Sequence, residues 1–158
     1  MPSNFGSMVE QPRLLYHARK DSVMGCKTIG RFVYDNANTA AVTANGNIPY
    51  TSITTSNKCI QCDGQNITIE RPGVYSVQVN ITSIPAAAGD VELQLYRNGM
   101  AIPGAHSIDT VGTAGNEVSS AFNAVITVPA ASPLVTLNVR SVNANAIRVA
   151  NVIVIKEA

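Results

Sequence analysis

Two cysteines three residues apart, Cys59-Ile-Gln-Cys62, are the residues whose types and spacing come closest to a metal or redox motif. Zinc takes about four ligands, and no second Cys or His pair sits at a matching spacing. A thioredoxin-type dithiol opens a helix within a βαβ unit, and no such unit surrounds these residues. The pair reads better as two small apolar side chains in a β turn. Cys26 makes the cysteine count three, and an odd count argues against a disulfide framework. No metal and no cofactor are expected.

The remaining candidates for chemistry are equally isolated. His17 and His106 are the only histidines, and neither has a Ser or Cys beside it in a recognised nucleophile motif. Asp90 with Glu92, and Asp63 with Glu70, are acid pairs on stretches that read as exposed strands and loops. There they serve solubility rather than acid–base work. Val111-Gly-Thr-Ala-Gly-Asn116 is rich in glycine but lacks the lysine and the strand–helix setting of a phosphate loop. Asn66-Ile-Thr68 and Asn80-Ile-Thr82 match the glycosylation pattern, which has meaning only on a secretory route. The chain is expected not to be an enzyme.

The elements around these residues are strands. From Tyr75 the chain alternates strictly: Tyr75, Val77, Val79 and Ile81 share one face, and Ser76, Gln78 and Asn80 the other. Pro72-Gly73 opens that strand, and Ile67 to Ile81 reads as the central stretch of a β domain. Val91, Leu93 and Leu95 alternate next, and Asn98-Gly99 follows with the residue types a type I′ hairpin turn requires. Pro103 marks an edge or the end of a strand. Phe122, Ala124, Ile126 and Val128 form one more alternating set, and Val135, Leu137 and Val139 another. Ile147 to Ile155 is apolar on both faces, with Val152 and Val154 opposite Ile153 and Ile155. In an antiparallel sheet one face normally meets water, so this strand points to burial by the core on one side and by another subunit on the other. Some eight strands, hardly any helix and Gly, Pro and Asn in the loops predict an antiparallel sandwich or jelly roll.

Composition sets further limits. The 158 residues suffice for one domain with a sound core. Charged residues make up 13%, about half the usual share, which suggests that other subunits cover part of the surface. A net charge of +1 argues against nucleic acid as a partner. No apolar run is long enough to span a membrane, and the N-terminal residues lack the form of a signal peptide. Assembly inside a cell is therefore expected. Residues 1–31 hold Arg13, Arg19, Lys20, Lys27 and Arg31 against Glu10 and Asp21, a basic excess absent from the remainder. Residues 1–38 read as an extension that needs a partner to order it, with a first strand from Ile29 to Tyr34 as the alternative.

The order of motifs resembles a known family. Pro72-Gly73-Val74-Tyr75, then Leu93-Gln-Leu95-Tyr-Arg-Asn98-Gly99-Met-Ala-Ile102-Pro103-Gly104, then Ala150-Asn-Val-Ile-Val-Ile155-Lys156, is similar to the tumour-necrosis-factor-like or complement-globular-head-like jelly roll. The variant it resembles is the bacterial and phage one, found at the end of collagen-like spore-surface glycoproteins and in phage structural proteins. The likeness covers about residues 40–158. It implies an all-β homotrimer, a trimerisation domain at 39–158 and no enzymatic activity.

From that resemblance follows the expected function: a trimeric decoration or head-fibre protein on the exterior of a phage virion, assembled in the host cytoplasm. Residues 1–38 would dock on the capsid or another virion protein through Arg13, Leu14, Leu15, Tyr16, Arg19 and Lys20. The expected trimer interface comprises Tyr75, Phe122, Val152, Ile153 and Val154. A receptor- or glycan-binding head of a fibre is the alternative, with a host surface glycan as ligand, as is a spore-surface structural protein. No Trp and only eight Phe and Tyr favour the structural reading over the glycan reading.

Overall fold

A computed structural model describes residues 27–158. Every regular element in it is a strand, and the strands pair antiparallel into two sheets. Five strands make the first sheet: β1 (Ile29–Val42), β3 (Ser52–Thr55), β6 (Gly73–Ser83), β9 (Val118–Val128) and β11 (Asn145–Lys156). The second holds β2 (Gly46–Asn47), β4 (Ile60–Cys62), β5 (Ile67–Ile69), β7 (Gly89–Arg97), β8 (Met100–Val111) and β10 (Val135–Ser141). The orders are β3-β1-β11-β6-β9 and β4-β5-β10-β7-β8, with β2 also on β10. From β5 onward the chain crosses between sheets at every connection except the β7–β8 hairpin. This is the expected jelly-roll sandwich.

Period-two alternation places the core. Tyr75, Val77, Val79 and Ile81 of β6 are at most 2% exposed, and they face Leu93, Leu95, Leu137 and Val139 of the other sheet, all at most 1% exposed. Burying each such side chain contributes about 1.5–3 kcal/mol. The stretch Ile67 to Ile81 is nevertheless not one strand. Ile67–Ile69 belongs to the six-stranded sheet and Gly73–Ser83 to the five-stranded one, and Pro72-Gly73 carries the chain across. Gly73 has a φ of 147°. A Cβ there would clash with the backbone oxygen of Ala158, so the crossing needs glycine. The middle strand of that sheet is β11, not β6.

The boundary expected at residue 39 also moves. Ile29–Val42 is one strand, registered on β11 from Ile29↔Ile155 to Asp35↔Val149. Phe32 is fully buried and Tyr34 is 7% exposed. The sandwich therefore includes residues 29–38 as part of β1, with Phe32 and Tyr34 filling its core.

Two irregularities shape the surface. Opposite Leu95, residues 102–105 bulge out of β8, which is an edge strand. Pro103 sits in that bulge and costs no ladder hydrogen bond there. The side-chain amide of Gln94 fills it, donating to the carbonyls of Leu95, Ile102 and Ala105. At the hairpin, Asn98 and Gly99 have φ of 49° and 80° between Arg97↔Met100, the type I′ geometry predicted for this dipeptide.

Candidate functional site

Cross-strand register builds the outer face of the five-stranded sheet row by row. Ile29, Ile155, Ser76 and Val125 lie side by side on β1, β11, β6 and β9. Arg31, Ile153, Gln78 and Asn123 form the next row, and Val33, Asn151, Asn80 and Ala121 the one after. Charge is scarce here: Arg31 turns its Nε to the Oδ1 of Asn151 at 3.2 Å. Ile29, Val33, Ile153 and Ile155 are half-buried, and Val125 is 70% exposed. The face is mixed but charge-poor, with Ile29, Val33, Ile153, Ile155 and Val125 set among neutral amides and hydroxyls, and a subunit contact covers such a surface.

The face continues around an edge. β9 and β8 each lie at an edge of their sheet, and between them runs a groove of about 560 Å³ lined by Arg97, Asn98, Met100, Ile102, Pro103 and Val125 among others. Met100 is 74% exposed at its rim. Val125 borders both the face and the groove, so the two adjoin.

The expected interface residues divide. Ile153 lies on this outer face, but Val152 and Val154 are fully buried within the subunit, as is Tyr75. A side chain with no exposed surface has none left to give a partner, so these three are core residues. The hydroxyl of Tyr75 donates to the carbonyl of Arg71 at 2.7 Å. Phe122 is on the inner side of β9, half-buried against the core. The outward residues of β11 are Val149, Asn151, Ile153 and Ile155. β11 is apolar on both faces, with Val152 and Val154 turned to the core and Ile153 and Ile155 outward. The groove went unread, although a signal existed: Val125 is an isolated apolar residue in the polar phase of β9. Arg13, Leu14, Leu15, Tyr16, Arg19 and Lys20 lie outside the described residues.

The candidate chemical groups stay apart. Among the described residues no three of His, Cys, Asp and Glu gather where they could hold a metal. Cys62 is partly buried and accepts the Gly64 N–H at 3.3 Å. Burial raises its thiol pKa, the Gly64 hydrogen bond opposing, which disfavours the reactive thiolate. Burial raises the Tyr50 phenol as well. The Asp63 carboxylate is held below its ordinary range by hydrogen bonds from the side chain and backbone of Asn66 and from the Gln65 N–H. Those bonds brace the β4–β5 loop. His106 is exposed on β8, and Asp90 accepts the Thr110 hydroxyl at 2.8 Å.

No protein-family model matches the chain, and no curated protein matches it. Solved structures do. Murine APRIL at pH 5.0 superposes with a TM-score of 0.62 at 10% identity, over 83% of this chain and 99% of that one. Eiger TNF from S. frugiperda gives 0.62 at 14% identity, over 84% and 94%. Rabbit GITRL gives 0.51 at 12% identity, over 83% and 94%. The chain has the tumour-necrosis-factor-like jelly-roll fold. Identities this low speak for the fold alone. Within it, the Leu93 to Gly104 motif forms β7, the type I′ turn and the bulged start of β8. The closing Ala150 to Lys156 motif lies in β11, the middle of the five-stranded sheet. No helix among the described residues is long and apolar enough to cross a membrane.

Proposed function

We propose that the protein is a non-enzymatic, homotrimeric structural subunit of a phage virion, a decoration or head-fibre protein on the particle exterior. The observation that supports the assembly reading is the charge-poor outer face of the five-stranded sheet, with Ile29, Val33, Ile153 and Ile155, which adjoins at Val125 the groove beside Met100. A face and an edge on one subunit are not self-complementary in the manner of a twofold dimer. They suit a head-to-tail contact, in which the edge of each subunit packs on the face of the next, and such contacts close into rings. Stable assemblies of this type bury more than about 2,000 Å² and often have no stable folded monomer. The virion setting rests on the resemblance of residues 40–158 to the bacterial and phage variant of the fold.

Docking to the capsid or another virion protein is assigned to the residues before β1, with Arg13, Arg19 and Lys20 as charged contacts and Leu14, Leu15 and Tyr16 as apolar ones. Three such arms in one trimer act together through effective concentration, so weak single contacts combine into a strong one.

Sedimentation of the full chain tests the assembly: three times 16.6 kDa is expected, and a folded monomer at micromolar concentration overturns it. Antibody labelling of intact particles tests the location. Deleting residues 1–26 should leave a folded trimer that no longer attaches to particles lacking the protein. Unaltered attachment would move docking to the sandwich itself. The deletion must stop before β1, because Phe32 and Tyr34 are core residues.

A further inference from the structure

We infer that the outer face of the six-stranded sheet carries a binding site for a carboxylate-bearing sugar, centred on Arg140 and Tyr96. The guanidinium carbon of Arg140 sits 4.1 Å from the centre of the Tyr96 ring. A cation held over an aromatic face is positioned without a carboxylate partner, which leaves guanidinium N–H groups for a ligand. Among the described residues, Arg140 takes this contact from a ring and not from a carboxylate. A planar fork held in this way matches the two oxygens of a carboxylate.

The neighbours of the pair supply what a sugar needs beside its charge. In register, Arg140 lies between Asn47 of β2 and Gln94 of β7, and Gln94 is followed by His106 of β8. Asn138 lies beside Tyr96. Asn138 is 8% exposed, its Nδ2 donates to Asn66 Oδ1 at 3.0 Å, and its Oδ1 is buried without a partner. A buried acceptor without a donor is unusual and costly, and a small shift of Asn138 toward the surface would let a sugar hydroxyl or acetamido group supply one. The acids on this face of β7 are Asp90 and Glu92, both on the far side of Gln94 from Tyr96. One aromatic and one cation, with the amide of Asn47 beside them, fit an acidic sugar better than a neutral one. They also fit it better than a polyanion, which would call for a cluster of basic residues.

The site lies apart from the face proposed for subunit contact, which belongs to the five-stranded sheet; of the assembly surface only the groove at the β8 edge touches the sheet that carries Arg140 and Tyr96. A trimer closed through that face and its edge would carry three Arg140–Tyr96 sites on its outside, so weak single-site binding would gain by avidity.

The test is a titration of the isotope-labelled full chain with sialyllactose, following the Arg140 Nε–H and the backbone amides of Tyr96 and Asn138 by nuclear magnetic resonance. Saturable shifts confined to these groups are expected, with a dissociation constant of about 1 mM. Lactose should leave them unmoved. Arg140→Gln should remove the shifts. Arg140→Lys, which keeps charge and fold but loses the fork, should weaken binding at least about tenfold. No saturable shift with sialyllactose, equal shifts with lactose, or unchanged binding by Arg140→Gln would each overturn the assignment. So would shifts produced by a glutamate-rich peptide or inorganic phosphate and not by sialyllactose. An unchanged thermal midpoint in Arg140→Lys keeps loss of binding distinct from loss of fold.

Discussion

The side-chain amide of Gln94 donates to the carbonyl of Ile102 at 2.8 Å, holding the β8 bulge against β7. Two more carbonyls, of Leu95 and Ala105, share the same nitrogen. Gln94 is 9% exposed, so water cannot readily replace it. Gln94→Leu leaves these acceptors without their donor and should destabilise the fold by about 1–3 kcal/mol. Gln94→Glu should cost more at neutral pH, because a carboxylate would face carbonyl oxygens. Urea denaturation of both variants measures the order, and hydrogen exchange should show faster opening at residues 102–105.

Gly99 is the second residue of the type I′ turn, and nothing lies within 4 Å of where its Cβ would be. Crowding therefore does not enter, and only backbone strain at φ 80° decides the outcome. Gly99→Val should cost about 1–3 kcal/mol and lower the thermal midpoint. A midpoint equal to the parent's would mean that the turn rearranges without cost.

Val152 and Ile153 are adjacent in β11 but face opposite ways, and they should fail differently. Val152→Asp puts an unpaired charge inside the sandwich, costs about 3–5 kcal/mol and should leave little folded protein. Ile153→Asp puts the charge on the outer face and should leave a folded chain that no longer assembles. Circular dichroism with sedimentation separates the two outcomes. A trimeric Ile153→Asp would place the subunit contact elsewhere.

Asp63 makes the β4–β5 loop sensitive to acid. Its carboxyl pKa is lower in the folded chain than its ordinary value, through the hydrogen bonds of Asn66 and Gln65. The stability it contributes is present above the ordinary carboxylate range and is lost as pH falls through the depressed folded value. Asp63 is almost fully solvated, so the effect is small. A plot of thermal midpoint against pH should fall less steeply for Asp63→Asn than for the parent between about pH 5 and pH 2. Parallel curves would mean that the hydrogen bonds do not favour the ionised form.

Local sequence determined the strands, because alternation along Tyr75–Ile81, Val91–Leu95 and Val135–Val139 leaves only one arrangement that buries every apolar side chain. It determined the hairpin as well, since Asn98-Gly99 is among the few dipeptides at ease with two positive φ angles. Local pattern does not say which face of a two-sided strand meets the core. For β11 that depends on the pairing of Val152 with Phe32 and Val79, residues 120 and 73 positions away. The same holds for Phe32 and Tyr34, which look like part of a basic extension until β11 is placed beside them. Both surfaces considered for function arise between strands distant in sequence: Val125 meets Met100 across the open edge, and Arg140 meets Tyr96 across β10 and β7. Only the tertiary structure decides such meetings, because they depend on strand order and register, which non-local contacts set.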